Sequence, residues 1–191
     1  FSYSQTFSAK SKIRSPVLQN LNIKIEHGKK YRILGKSGCG KTSIINVLFR
    51  LFQYDGKIEF DNEDITNFNL RSYRSSMSII PQNPVFFFST VKDNIDPDGI
   101  FEEKEVIQKL NDFGFKYDSI DSEIDKKMSF TKRKIFLLVK AIFDQKEILI
   151  MDEFPINIPG TADTIFDIFE KYFSDKTVLF ITHDKRKSIP T

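Results

Sequence analysis

Apolar and polar positions alternate over residues 17–25, with Leu21, Ile23 and Ile25 on one face, which predicts a half-buried strand of antiparallel type. The preceding residues 8–15 are polar and basic and read as a loop. His27, Gly28 and Lys29 form a turn, and 31–34 is a short strand that runs straight into a glycine-rich stretch. A helix is expected over 42–52, then a break at Tyr54-Asp55-Gly56. Lys57–Phe60 reads as a strand, Asp61-Asn62 as a turn, Leu70–Ser75 as a short helix, and Met77–Ile80 as a strand that stops at Pro81. Helices are expected over 90–95, 102–113 and 129–143; the second places Val106, Ile107, Leu110 and Phe113 at helical spacing. The continuous apolar runs 147–152 and 177–181 predict two strands buried on both faces, with a helix over 163–173 between them.

Alternating apolar strands and helices imply an α/β fold with a mainly parallel sheet. The segment from about 82 to 143 reads as almost all helix, a helical insertion in that sheet. At 191 residues, with 40% hydrophobic and 29% charged content, the chain suits one globular domain and is too apolar for disorder. The 20 phenylalanines, with no tryptophan, imply a core packed with Phe where other chains use Leu or Val. A net charge of +3 argues against a nucleic-acid surface, and Lys185-Arg186-Lys187 reads as a solvated end. The single cysteine, Cys39, excludes an internal disulfide and suits a reducing compartment. No stretch approaches the roughly 20 apolar residues that a membrane helix needs. The chain begins at Phe1 rather than at a methionine, so an excerpt of a longer polypeptide is expected.

The stretch Gly35-Lys36-Ser37-Gly38-Cys39-Gly40-Lys41-Thr42 carries the chemistry. A glycine, four residues, then Gly-Lys-Thr between a strand and a helix is a phosphate loop. Its glycines let backbone N–H groups curl toward phosphate oxygens, and the following helix adds its positive end. Lys41 supplies a charge between the outer phosphates, Thr42 an oxygen ligand for Mg2+, and Ser43 extends the lining. Cys39 reads as a small residue in the loop. A nucleoside triphosphate with Mg2+ is the expected ligand.

A second acidic site follows. The strand 147–151 delivers Asp152 and Glu153 to the carboxyl edge of the sheet, where ligands of open α/β sheets bind. Asp152 is expected to hold the magnesium shell through water, and Glu153 to orient or deprotonate an attacking water. His183, at the end of the next strand, falls on the same edge. Gln82, taken alone, reads as an ordinary residue of a proline-flanked loop.

Together, in this order, the motifs resemble the nucleotide-binding domain of ABC transporters of exporter type. The likeness covers nearly the whole chain. Leu70-Arg71-Ser72-Tyr73-Arg74, Ile80-Pro81-Gln82-Asn83-Pro84-Val85-Phe86 and Asn94-Ile95-Asp96-Pro97 are similar to the glutamine-loop region of the branch that contains the multidrug-resistance-associated proteins. The resemblance implies a P-loop NTPase fold: a mainly parallel central sheet, an antiparallel β subdomain and an α-helical subdomain, with a core of 1–81 and 144–191. It implies ATP as the nucleotide, with Tyr3 (or Phe7) of an opening strand stacking on adenine. Gln82 would touch magnesium and the attacking water, and Ile181-Thr182-His183-Asp184 would supply the switch histidine. It further implies a second nucleotide-binding domain as partner, with transmembrane domains that the pair drives, on the cytoplasmic or organelle-matrix side of a membrane.

The chain departs from the family at the signature, Leu-Ser-Gly-Gly-Gln, which reaches the partner's ATP. Here Met128-Ser129-Phe130-Thr131-Lys132 stands in that place. Ser129 survives, but the side chain of Thr131 crowds an approach made by glycine backbone. Asp121 to Lys127 is shorter than usual, and Pro155-Ile156-Asn157-Ile158-Pro159-Gly160 replaces a loop that ends in Leu-Asp. An unequal heterodimer is therefore expected ahead of a homodimer. An ATP-binding dimerisation module with little hydrolysis is the alternative reading.

Overall fold

The computed structural model describes residues 2–4 (backbone), 18–36, 38–159 and 163–183. The expected loop at 8–15, the residues Phe7, Ser37, Gly160 and Asp184, and the basic end at 185–187 lie outside them. Two four-stranded sheets form the frame. The antiparallel one runs β2 (Asn22–Lys24), β1 (Ser2–Ser4), β4 (Lys57–Phe60), β5 (Glu63–Asp64). The parallel one runs β3 (Lys30–Leu34), β8 (Thr177–Thr182), β7 (Ile148–Asp152), β6 (Met77–Ile80).

Strands β7 and β8 are buried along their whole length, because helices cover both faces of the sheet. Successive side chains point to opposite faces, so each strand feeds two cores. Leu149, Met151, Val178 and Phe180 join one cluster with α5 (Phe130–Asp144) and α6 (Ile165–Tyr172). Ile148, Ile150, Leu179 and Ile181 join the other with α1 (Lys41–Leu48) and α2 (Leu70–Ser75). The expectation about phenylalanine holds. Phe136, Phe154, Phe169, Phe173 and Phe180 are among the largest fully buried side chains, and the Phe136 ring meets Phe86 and Phe115 edge to face at 5.1 and 5.6 Å.

Several expected elements change length. The 17–25 strand is only β2, and Asn20 ahead of it has φ 51°. The 42–52 helix stops at Leu48: Arg50 turns to φ 53°, and its guanidinium donates to the Ile65 and Phe68 carbonyls, which leaves Leu51 and Phe52 exposed. The segment 82–143 is not almost all helix. It holds α3 (Val91–Ile95), α4 (Glu103–Asp112) and α5, with irregular stretches at 81–90, 96–102 and 113–129. The last two are held by their own polar contacts. Asp96 carboxylate oxygens accept from the Ile100 and Phe101 amides, and Glu103 accepts from Ser119 and Ile120. Strand β5 and the single 3-10 turn after it, Ile65–Asn67, were not foreseen; Asp64 caps that turn by accepting from the Thr66 amide.

No helix among the described residues is long and apolar enough to cross a membrane.

Candidate functional site

All four strands of the parallel sheet point the same way, so their carboxyl ends meet at one edge. The registers bring those ends level: Leu34 pairs with Thr182, Ile181 with Asp152, and Met151 with Ile80. The residues that follow are Gly35, His183, Glu153 and, two past β6, Gln82. A cleft of about 210 Å3 opens there, lined by Gly38, Gly40, Lys41, Thr42, Ser43, Gln82, Asp152 and Glu153. That is room for phosphates and an ion rather than a whole nucleotide.

The loop side of the cleft is built from glycine geometry. Gly38 and Gly40 adopt φ 77° and 97°, which L side chains rarely adopt, and Gly40 opens α1 without a side-chain cap. The first N–H groups of α1 thus face the cleft side of the loop unblocked by a cap. At Gly35 the limit is space: a Cβ there would collide with Cys39 Sγ. Lys36 is exposed, and Lys41, buried, donates from Nζ to the Gly35 and Lys36 carbonyls at 2.7 and 2.8 Å. Its ammonium is held over the mouth of the loop.

The acidic side rests on β7. Asp152 is buried, and burial pushes its carboxyl above the usual carboxylate range; Glu153 pushes the same way, while Lys134, Lys41 and the Thr42 hydroxyl that bonds to it pull down. Glu153 sits at φ 51°, a left-handed conformation that costs a non-glycine residue about 1–2 kcal/mol. Four contacts surround it, two on its main chain and two on its carboxylate. Its amide donates to the Ile181 carbonyl at 2.9 Å, and its carbonyl accepts from Lys134 Nζ at 2.9 Å. Its carboxylate takes Gln82 Nε2 on one oxygen and His183 Nδ1 on the other, each at 3.0 Å. Gln82 and His183 are exposed, and Glu153 is half-buried between them.

Gly38 to Ser43, Gln82, Asp152, Glu153 and His183 therefore come together. Tyr3 lies in β1 by its backbone, and its side chain falls outside the described residues, as does Ser37. The signature positions stand apart from this cleft. Ser129 caps α5 by accepting from the Lys132 amide at 3.3 Å; Phe130 is exposed, and Thr131 is half-buried in the first turn. Arg133 ties this end back by donating to the Met128 and Lys126 carbonyls.

One site residue escaped the reading of the sequence. Lys134 is buried, and its Nζ also donates to the Asp152 carbonyl, at 2.8 Å. The available signal was its place on the stripe of Leu138, Ala141 and Ile142, where a lysine faces the interior.

The donor set suits Mg2+. Among the described residues no group of three His, Cys, Asp or Glu side chains could hold a metal alone. A hydroxyl, one carboxylate and an amide oxygen from Thr42, Asp152 and Gln82 are hard oxygen donors, the kind Mg2+ takes together with phosphates and water.

Comparison with known proteins matches residues 18–156, well over half of the chain, to the family model described as ABC transporter. The chain belongs to the ABC transporter family. Its fold is the P-loop NTPase fold of that family, and its relatives include members of the C family. "ATP-binding cassette sub-family C member 4" of Homo sapiens is 34% identical over 177 residues, covering 87% of this chain and 13% of the relative. "ABC transporter C family member 12" of Dictyostelium discoideum is 31% identical over 179 residues, 88% of this chain and 14% of the relative. "Vacuolar heme ABC transmembrane exporter abc3" of Schizosaccharomyces pombe is 32% identical over 177 residues, 87% of this chain and 12% of the relative. The ABC transporter chain described here thus spans 12–14% of the length of these curated relatives.

Proposed function

We propose that this ABC transporter chain binds Mg2+ and ATP and hydrolyses ATP to power export across a membrane. The observation that carries the reading is the cleft at the carboxyl edge, where the phosphate loop faces Gln82, Asp152 and Glu153. Loop amides and the start of α1 would hold the phosphates, with Lys41 between the outer two. Magnesium, when bound, neutralises phosphate charge; Thr42 and Gln82 would hold it, and Asp152 through water. Glu153 would take a proton from the attacking water, with its oxygens aimed by Gln82 and His183. His183 would turn Nε2, the ring nitrogen away from Glu153, to the terminal phosphate. Tyr3 is the proposed support for adenine.

The same reading covers the partners. The chain acts as one nucleotide-binding domain, whose segment 82–143 forms a helical subdomain beside the core. It pairs with a second such domain, and transmembrane domains convert the pair's closure into movement of substrate. It is membrane-associated, on the cytoplasmic or organelle-matrix side. The exposed Phe130 and the Thr131 side chain at the signature favour an unequal heterodimer, in which a partner's intact signature completes this chain's cleft. The same two residues favour a second reading, an ATP-gated dimerisation module with little hydrolysis.

Mg-ATP turnover of the purified protein, alone and mixed with candidate partner domains, tests the proposal. Turnover that rises on mixing supports an unequal pair, and strong turnover by the chain alone contradicts it. Nucleotide-driven dimerisation with no turnover in any mixture favours the module.

A further inference from the structure

Lys134 is buried at the foot of the acidic pair, where an ammonium is expensive to place unless it is well bonded. Its Nζ meets two successive main-chain carbonyls, Asp152 at 2.8 Å and Glu153 at 2.9 Å. Between those carbonyls the backbone leaves the extended geometry of β7 and enters the left-handed turn at Glu153. A non-glycine residue keeps such a conformation only where its surroundings hold it. The Glu153 amide is tied to β8 through Ile181, and its carbonyl is tied to α5 through Lys134. Gln82 and His183 touch the carboxylate from exposed positions, so they do not fix the backbone.

We propose that Lys134 is a positioning residue: its ammonium clamps the Asp152–Glu153 turn to helix α5 and so sets the aim of the Glu153 carboxylate. This rests on the hydrolytic reading above. At this turn Lys134 Nζ bonds main-chain carbonyls, and its charge also favours the ionised Asp152, so the uncharged donor of Lys134→Gln separates the bond from the charge. Since α5 begins beside Ser129, only about 7 Å along the helix axis from Lys134, the clamp links the start of that helix to the acidic pair.

The test compares Lys134→Met, which keeps length and removes the donors, with Lys134→Gln, which keeps two N–H donors without charge. Two readouts are taken on the intact protein: Mg-ATP turnover, and hydrogen–deuterium exchange of the Glu153 amide. Lys134→Met is expected to lower kcat by about 10- to 100-fold, the usual effect of losing an outer support, with KM little changed. Glu153 exchange should quicken while Leu149–Met151 and Val178–Ile181 stay protected. Lys134→Gln should fall between wild type and Lys134→Met in both readouts. A uniform rise in exchange across the sheet, a loss carried by KM, or a change in one readout without the other overturns the proposal. If Lys134→Met does not fold, the paired readouts of Lys134→Gln decide by the same criteria. A wild-type protein without turnover would defeat the hydrolytic reading instead, and exchange at Glu153 would still report whether the clamp exists.

Discussion

Gly35→Ala probes the phosphate loop through space alone. The backbone at Gly35 is outside the left-handed region, so alanine meets no conformational penalty there. The obstacle is Cys39 Sγ, which the new methyl would strike; Lys41 Cδ and Cγ, at 3.4 and 3.5 Å, are in ordinary contact. Inserting a methyl into a filled site costs about 1–3 kcal/mol. Cys39 is exposed and can move to another staggered χ1 rotamer, which relieves part of the clash and places the expected penalty near the lower end. A loss of about 1–2 kcal/mol in Mg-ATP binding corresponds to roughly 5- to 30-fold in Kd. The assay is equilibrium titration with a fluorescent ATP analogue and magnesium. Adding Cys39→Ala removes the sulfur and should restore most of the affinity, so the double-mutant cycle shows a coupling of about 1 kcal/mol. If Cys39→Ala does not rescue Gly35→Ala, or if Gly35→Ala binds as wild type, the packing argument fails.

Asp152→Asn tests the electrostatics of the acidic side. The folded-state pKa of Asp152 is raised above the ordinary 3.8, so the folded protein holds this proton more tightly than the unfolded chain. The associated stability is complete below pH 3.8 and is lost as pH rises through the raised folded value. Asp152→Asn should therefore melt at a higher temperature than wild type at pH 7, and the difference should shrink in acid; a lower melting temperature at pH 7 would contradict this. Phe136→Ala empties a fully buried ring site between Phe86 and Phe115 and should cost about 3–5 kcal/mol, read as a fall of roughly 6–20 °C in Tm by calorimetry. Thr164→Ala removes the capping box it shares with Asp167 at the start of α6 and should cost about 1 kcal/mol by denaturant unfolding.

Elements with hard stops were legible in the sequence. Strand β4 lies between Gly56 (φ 109°) and the Asp61-Asn62 turn, whose residues have φ 51° and 66°; α2 starts at the Asn69 cap, and β6 ends at Pro81. Where tertiary contacts decide the boundary, the sequence misled. The apolar pattern through Phe49, Leu51 and Phe52 continues a helix on paper, but Arg50 leaves it to bond carbonyls 15 and 18 residues away. The irregular stretches of 96–102 and 113–129 are held by carboxylate-to-amide contacts that carry no periodicity. Asp152, Glu153 and His183 were readable on one edge because a parallel sheet gathers every strand end on one side; Gln82, in a proline-flanked loop, was marked only by the resemblance to the family. Lys134 was missed because a lysine beside Arg133 reads as solvated unless its place on the apolar stripe of Leu138, Ala141 and Ile142 is weighed.

Turnover of Mg-ATP by the intact protein carrying Glu153→Gln tests most directly whether this cleft is a hydrolytic site. The substitution keeps the size of the side chain beside Gln82 and His183 and removes the proton acceptor. Nucleotide binding should survive, and turnover should fall by about 100- to 10,000-fold, the range a general base supplies. Turnover equal to wild type would show that Glu153 is not the base.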